Sequence, residues 1–431
     1  MEYLGGLLVE AGVGIRKSHV GFRSASRLLR AWSVRRRGPA RWIHSTCQFR
    51  TMTGVAQLTL QTAGESHGPG GVAIVTGLPA GLAVDTDVIN AELRRRQGGY
   101  GRGGRQRIEE DHVEWLGGVR LGRTTGGPVA LLVPNIDSRL DDLERTPPVN
   151  RPRPGHADLA GAMKYNTDDC RNILERASAR QTAVRTAAGA LASCLLEDIG
   201  IRAIGYVTAM RDVAIDIDVT ADTLAQTTAA RDASSMYCPD AAATRSMEAF
   251  VRDAKEQKDT VGGLCRVHVL GCPMGLGTCM SRAGGLDARL ASAVMSIQAF
   301  KSVEIGLGRG VAERWGSEVH DPISYDEGLE HTATRGFVRS SNRAGGIEGG
   351  MSNGQPLVVT GAMKPISTLL RGLPSVNLTS NEPEHSDYER SDVCAVSAAS
   401  VVMQHAVAFE VAVAVLDKYG GDSMDELRGR L

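Results

Sequence analysis

Two of the ten histidines sit in turns that suit a reacting group: His67 within Gly64-Glu65-Ser66-His67-Gly68, and His156 within Arg153-Pro154-Gly155-His156-Ala157-Asp158. Glycine and proline set a backbone turn at little steric cost and let a ligand approach the main chain. Imidazole titrates near neutral pH and serves as proton donor or acceptor. Arginine is the second signal. Arg94, Arg95 and Arg96 run into Gln97-Gly98-Gly99-Tyr100-Gly101-Arg102-Gly103-Gly104-Arg105-Gln106-Arg107, a glycine-rich loop with guanidinium groups fanned along it. Guanidinium forks bind carboxylate and phosphate through paired charge-assisted bonds. An RGG-like nucleic-acid segment is the rival reading, but Tyr100 is the only aromatic there for base stacking. A polyanionic small molecule fits better.

Two further stretches carry cations and hydroxyls. Glu175-Arg176-Ala177-Ser178-Ala179-Arg180-Gln181-Thr182 opens a long small-residue helix in which Arg176 and Arg180, four apart, share a face around Ser178 with Glu175 as the only nearby counter-charge. Further on, the glycine-dense residues 342–354 lead into a strand and then Lys364-Pro365-Ile366-Ser367-Thr368. Backbone amides, a lysine and two hydroxyls at that spacing suit phosphate. There is no Walker-type Gly-Lys-Ser, which argues against a nucleoside triphosphatase.

The elements that must position these groups alternate along the chain. Residues 72–76, 113–115, 129–133, 266–270 and 356–360 read as strands, and 85–96, 178–196, 286–299 and 395–418 as helices. The apolar residues 55–60 lead into the first histidine turn. The helix at 178–196 is so poor in large side chains that it must pack against neighbouring backbone or a planar ligand. Residues 214–259, rich in Thr, Ala and Asp, read as a peripheral insertion.

Hydrophobic residues make up 42% and the formal net charge is zero, as expected of an enzyme with a sizeable core. No run approaches the ~18 apolar residues of a membrane span. Eight cysteines lack CxxC spacing, and Cys265, Cys272 and Cys279 recur every seven residues without the pairing of a zinc site. They read as reduced, buried small hydrophobes, with Cys394 near the site but not a nucleophile. No metal is expected.

Residues 1–50 differ. They hold nine Arg and one Lys against two Glu, a net +8. An organellar transit peptide has that composition. The alternatives are a start assigned too early, with Met52 as the true first residue, and a disordered basic tail. Met52-Thr53-Gly54 leads straight into the first strand, which favours the early start. Residues 1–51 and 52–431 are therefore taken as extension and catalytic domain.

From about Met52 onward the chain resembles the chorismate synthase family. The matching motifs are GESHG at 64–68, RRRQGGYGRGGR at 94–105, RPGHAD at 153–158, ERASAR at 175–180, GGIEGGMSNG at 345–354, MKPIST at 363–368 and RSDVCA at 390–395. Two positions depart from the family pattern: Gln181 stands where glutamate is usual, and Thr186 where valine is usual. The resemblance implies an α/β (α+β) fold, a single β-α-β sandwich domain that assembles as a homotetramer. A single unit is notable because the 380 residues from Met52 exceed the ~250–300 of one simple core.

The implied activity is a lyase converting 5-enolpyruvylshikimate 3-phosphate to chorismate and phosphate by anti 1,4-elimination, in the cytoplasm, with reduced FMN and no net redox change. The hydrogen lost is not acidic, so the cofactor carries the hard step and the protein positions and tunes it. By the same resemblance His67, His156 and Asp392 are catalytic. His67 would stabilise anionic reduced flavin, His156 would serve the leaving phosphate, and Asp392 would help take up the hydrogen. Flavin contacts fall to Arg176, Ala177, Ser178, Gln298 and Ala299 at the end of the 286–299 helix, Gly349, Lys364, Pro365, Ile366, Ser367, Thr368 and Arg390. Arg96 and Arg102 match positions associated with NADPH, though with Arg180 they suit a substrate or polyanion role better, since a separate flavin reductase could supply the electrons. No nucleic-acid or membrane partner is expected. The rival readings are a flavin-dependent reductase or another phospholyase, and a nonenzymatic polyanion binder.

Overall fold

The structure is a computed structural model that describes residues 57–389 and 391–431. The expectations placed on residues 1–51, on Val55 and Ala56, and on Arg390 lie outside the described residues. The principal helices are α1 (Thr86–Gln97), α2 (Asp158–Tyr165), α3 (Arg171–Ala177), α4 (Thr182–Asp198), α5 (Leu224–Ala233), α6 (Ala241–Glu256), α7 (Leu286–Met295) and α8 (Val396–Tyr419).

One antiparallel sheet joins β1 (Thr59–Ala63), β2 (Gly70–Thr76), β3 (Glu114–Gly117) and β4 (Val129–Pro134) in the order β1-β2-β4-β3. A second joins β5 (Arg202–Met210), β6 (Val213–Ala214), β7 (Gly263–Leu270), β8 (Phe300–Ile305) and β9 (Leu357–Met363) in the order β8-β9-β7-β5-β6, also antiparallel. Helix α4 packs on the first sheet, α8 on the second, and the two helices pack on each other. The layers are sheet, helices, sheet, as the β-α-β sandwich requires.

The small residues of α4 explain the closeness of that middle layer. A Cβ on Gly189 would lie 2.4 Å from the main-chain oxygen of His405 in α8, so the two backbones approach as only glycine allows. The expected partner of the alanine-rich helix is therefore backbone, not a planar ligand. Helix α8 corrects one reading. It is long and apolar enough to cross a bilayer, with hydropathy 1.8, but 89% of that window is buried inside the protein, as a central core helix must be.

Thr186 of α4 is fully buried, and its Oγ1 has no hydrogen-bond partner among the described residues. A valine keeps the shape and removes the unmet hydroxyl. Thr186→Val should raise stability by about 1 kcal/mol, read as a higher melting temperature. An unchanged or lower value would mean the hydroxyl is satisfied.

Two expected helices have other bounds. Ser178 is extended (φ −61°, ψ 145°), and its Oγ accepts from the Arg180 amide. This side chain competes with helix continuation. It separates α3 from a short 3-10 turn, Ala179–Gln181, and α4 begins only at Thr182. Arg176 and Arg180 therefore do not share a helical face. Helix α7 stops at Met295, and the chain turns through Ala299, whose φ is +71°. Gln298 and Ala299 thus sit in a turn rather than on a helix.

Residues 214–259 are no peripheral insertion. Met236, Cys238, Met247 and Val251 join the main core. The Tyr237 hydroxyl donates to the Arg95 oxygen at 2.8 Å and the Tyr100 amide to the Ser235 oxygen at 2.8 Å, so this segment braces the arginine-glycine loop. Their polar composition hides an amphipathic α6. The cysteines also divide, because Cys279 is exposed and Cys194 half-buried while Cys170, Cys238, Cys265, Cys272 and Cys394 are buried.

Candidate active site

The histidine turn between β1 and β2 is drawn tight at Gly64, where φ is +109° and a Cβ would lie 2.3 Å from the Gly70 oxygen. Asn135, just past β4, donates to the oxygens of Glu65, Ser66 and Gly68 at 3.2, 3.2 and 2.7 Å, which fixes the turn from below. His67 is then held by Glu175 of α3. Its ring Nδ1 lies 2.9 Å from Oε1, and its main-chain N–H donates to Oε2 at 2.8 Å. Burial alone would raise the Glu175 carboxyl, but the hydrogen bonds from His67 override it and hold the carboxyl below its usual range.

His156 is held in the same manner. Its Nδ1 lies 2.5 Å from Oδ1 of Asp158, which is fully buried, and Arg153 donates to Oδ2 of the same carboxylate at 2.8 Å. Burial opposes ionisation of Asp158, yet the bonds from His156 and Arg153 prevail and hold it well below the usual carboxylate range. Arg153 continues to the Thr368 hydroxyl at 3.0 Å, tying the second histidine turn to the 364–368 run.

These elements surround a cavity of about 610 Å³. His67, His156 and Asp392 line it, with Ala177, Ser178, Gln298, Ala299, Lys364, Ile366, Ser367, Thr368, Arg96, Arg102 and Arg180. Arg176, Pro365 and Gly349 do not. Arg176 instead donates to the oxygens of Gly64 at 3.0 Å and Thr62 at 2.9 Å. Gly349 lies in the turn between the short strands Ile347–Glu348 and Met351–Ser352. Ser66, Arg105, Arg139, Arg153 and Lys301 also line the cavity without having been singled out. Arg105 and Arg153 lay within quoted motifs. Arg139 and Lys301 lie outside any glycine-rich pattern and had no local signal.

The lining is cationic: six arginines and two lysines face two glutamates and one aspartate. The arginines are pre-set by carboxylates behind them. Asp111, its side chain fully buried, takes Arg96 at 3.0 Å and Arg180 at 2.5 Å. Burial pulls the Arg96 guanidinium down to about 10 despite Asp111, so it stays charged at neutral pH. Asp392 accepts from Arg102 at 2.6 Å and from the Gly103 amide at 2.6 Å. Arg180 was expected to see only Glu175 as counter-charge. Asp111 and, at 3.8 Å, Glu109 answer it instead, and the Gln181 amide donates to the Gly64 oxygen at 2.5 Å. The glutamine departure therefore leaves no charge imbalance.

Lys364 and Lys301 have no carboxylate partner among the described residues, and burial followed by the charge of Lys301 lowers the Lys364 pKa. A Cβ on Gly155 would lie 3.8 Å from the Lys364 Nζ, so this lysine stands beside the His156 turn. The opposite character appears at Leu174, Met295, Ile297, Phe300, Met363 and Ile366, which give the cavity an apolar wall. Gln298 Oε1 is buried there with no hydrogen-bond partner among the described residues. Cys394 is fully buried under the glycine loop, and burial pushes its thiol up to about 11, so both burial and acidity disfavour it as a nucleophile.

Comparison with known proteins agrees with this geometry. The family model described as chorismate synthase matches residues 58–416. A chorismate synthase of Desulforamulus reducens is 49% identical over 383 residues, covering 87% of this chain and 97% of that protein. One from Desulforudis audaxviator is 52% identical over 380 residues, covering 85% and 94%. A crystal structure of chorismate synthase superposes with a TM-score of 0.70 at 37% identity, covering 87% of this chain and 96% of that one. With the fold, the paired histidine turns and these matches in agreement, the chain belongs to the chorismate synthase family.

Proposed function

We propose that this lyase converts 5-enolpyruvylshikimate 3-phosphate to chorismate and phosphate by anti 1,4-elimination in the cavity that His67 and His156 line. The observation that carries the reading is the cation surplus of that cavity, set around two histidines that are each held at Nδ1 by a buried carboxylate. The substrate bears two carboxylates and a phosphate, and the cavity offers cations in matching excess. Arg96, Arg102 and Arg180, oriented by the acids behind them, serve carboxylates. Lys364, Lys301 and His156 serve the phosphate, since the lysines have no acid of their own among the described residues to neutralise them.

The residues present suit a flavin. The apolar wall matches a planar ring system, the orphaned Gln298 Oε1 offers a ring N–H its acceptor, and Ser367 and Thr368 offer hydroxyls to a phosphate tail. Reduced FMN, when bound, supplies electron density for cleavage of the carbon–oxygen bond and recovers it as the hydrogen leaves. His67 holds positive charge or a hydrogen bond at the ring system. His156 donates a proton to the departing phosphate, and Asp392, ion-paired with Arg102 at 2.6 Å, stands where the hydrogen is released. NADPH or a separate flavin reductase provides reduction, the assembly is a homotetramer, and the enzyme works in the cytoplasm.

Purified protein mixed anaerobically with this substrate and photoreduced FMN tests the reading. Stoichiometric phosphate and chorismate without net flavin oxidation are expected. Net consumption of reduced flavin would make it a reductase, and salt-sensitive DNA retention without turnover would make it a polyanion binder.

Residues 1–51 take no part in this chemistry, which agrees with the family match starting at residue 58. A protein beginning at Met52 should keep the melting temperature, oligomeric state and turnover of the full chain. A large fall in melting temperature or loss of the oligomer would overturn this.

A further inference from the structure

Glu175 is fully buried, and its carboxylate meets three groups. Two belong to His67: the main-chain N–H at 2.8 Å and the ring Nδ1 at 2.9 Å. The third is Arg171, at 3.5 Å, which also pairs with Glu389 at 3.1 Å. The main-chain oxygen of Glu175 accepts from the Ser66 amide at 3.1 Å, so α3 is stapled to the histidine turn at two levels. An ionised carboxylate only accepts hydrogen bonds, so Nδ1 of His67 must carry the proton. That leaves Nε2 as the ring's acceptor nitrogen.

Nε2 sits among opposing charges. Arg139 and Arg105 nitrogens lie 3.4 and 3.5 Å away, and Asp137 Oδ2 lies 3.9 Å away. Arg139 is paired with Asp137 at 3.3 Å and Arg105 with Glu109 at 3.2 Å, so the acids on those segments are largely answered. The two guanidinium groups oppose a second proton on the ring. Glu175 favours it, and its own arginine contact is longer than the one at Asp158, where Arg153 binds both carboxylate oxygens at 2.8 and 3.1 Å.

We propose that Glu175 is a positioning residue that acts through His67: it locks the Nδ1–H tautomer and leaves Nε2 as the working nitrogen, turned toward Arg105 and Arg139 in the cavity. The proposal rests on the reading of His67 given under the proposed function. It also supplies a reason for the glutamate of the 175–180 motif, which otherwise has no contact with the cavity.

The test uses the full chain with reduced FMN and 5-enolpyruvylshikimate 3-phosphate. Glu175→Gln keeps the size and a carbonyl acceptor for Nδ1–H but removes the charge. Turnover should fall roughly 10- to 100-fold with KM little changed, in the range of a weakened general acid–base group. The pH limb that reports loss of the charged imidazole should move to lower pH by about one unit, since removing an adjacent anion lowers an imidazole pKa. In a His67→Asn background, Glu175→Gln should cost nothing further, because its effect runs through the ring. Equal losses in both backgrounds, or an unmoved limb, would make Glu175 merely structural.

The tautomer is read separately, from the imidazole ¹⁵N shifts of His67 in the wild-type protein. Finding the Nε2–H form there would overturn the proposal even if Glu175→Gln failed to fold. Wild-type turnover in His67→Asn would instead bring down the underlying reading of His67, and the proposal with it.

Discussion

Asp111→Ala should destabilise the protein by about 3–5 kcal/mol, the cost of leaving buried charges without their partner. Asp111 is the shared acid of Arg96 and Arg180, one guanidinium on each carboxylate oxygen, and its side chain is fully buried. Its removal leaves two like charges close together, with neutral acceptors and only the longer contact of Arg180 to Glu109, at 3.8 Å, to answer them. Arg96 keeps the Thr182 hydroxyl at 2.9 Å and the Ala179 oxygen at 3.0 Å, and Arg180 keeps Asn135 Oδ1 at 2.6 Å and the Pro134 oxygen at 2.9 Å. Those bonds orient the arginines but do not answer their charge. The melting temperature should drop on the order of 10 °C. Both arginines line the cavity while Asp111 stands behind them, so an anion entering from the front can supply the missing charge. Phosphate or sulfate should accordingly raise the melting temperature of Asp111→Ala more than that of the wild type, by the usual linkage of binding to stability. A variant as stable as the wild type, or one indifferent to added anion, would show that the arginines are not held as a charged pair around this acid.

The same acid shows where the sequence was legible and where it was not. His67 and His156 stood out because glycine and proline mark their turns, and the structure sets both on one cavity. The arginine loop stood out for the same reason. The carboxylates behind these groups did not, because burial and long-range pairing leave no local trace. Glu175 lies 108 residues from His67 and Asp111 lies 69 from Arg180. Arg139 and Lys301 had no turn chemistry around them to mark them.

In the fold, five of the sheet strands and four of the helices were readable from periodicity, whereas the strands Arg202–Met210 and Phe300–Ile305 were not; Asp85, the first residue of the expected 85–96 helix, caps α1. The break at Ser178 was missed because the run of small residues on both sides is helical in composition. Only the serine's own hydroxyl, closing on the Arg180 amide, stops the helix there. The segment 214–259 misled in the opposite direction. Most of its Thr, Ala and Asp are exposed or half-buried, while Ala243, Thr244, Met247 and Val251 form the buried face of α6.

His67→Ala and His156→Ala should each slow turnover by about 10²-fold or more, but by different routes. Loss of His67 removes the group proposed to face the flavin's negative charge, so the pH titration of bound reduced flavin should shift, since a nearby charge or hydrogen bond moves such a pKa directly. Substrate binding should survive, because Arg96, Arg102 and Arg180 keep their own acids. Some stability should be lost as well, since Glu175 keeps only the main-chain N–H at position 67 and the longer Arg171 contact. Loss of His156 leaves a different remainder. Asp158 stays paired with Arg153 through both oxygens, and Lys364 and Lys301 still face the cavity, so the turn should stay folded and phosphate should still bind. What disappears is the proton donor to the leaving group, so single-turnover phosphate release should slow while the flavin titration stays that of the wild type. The paired measurement is reduced-flavin absorbance against pH with substrate bound, alongside phosphate release. A wild-type flavin titration in His67→Ala would remove the role assigned to that ring. A wild-type rate in His156→Ala would reduce His156 to a structural member of its turn.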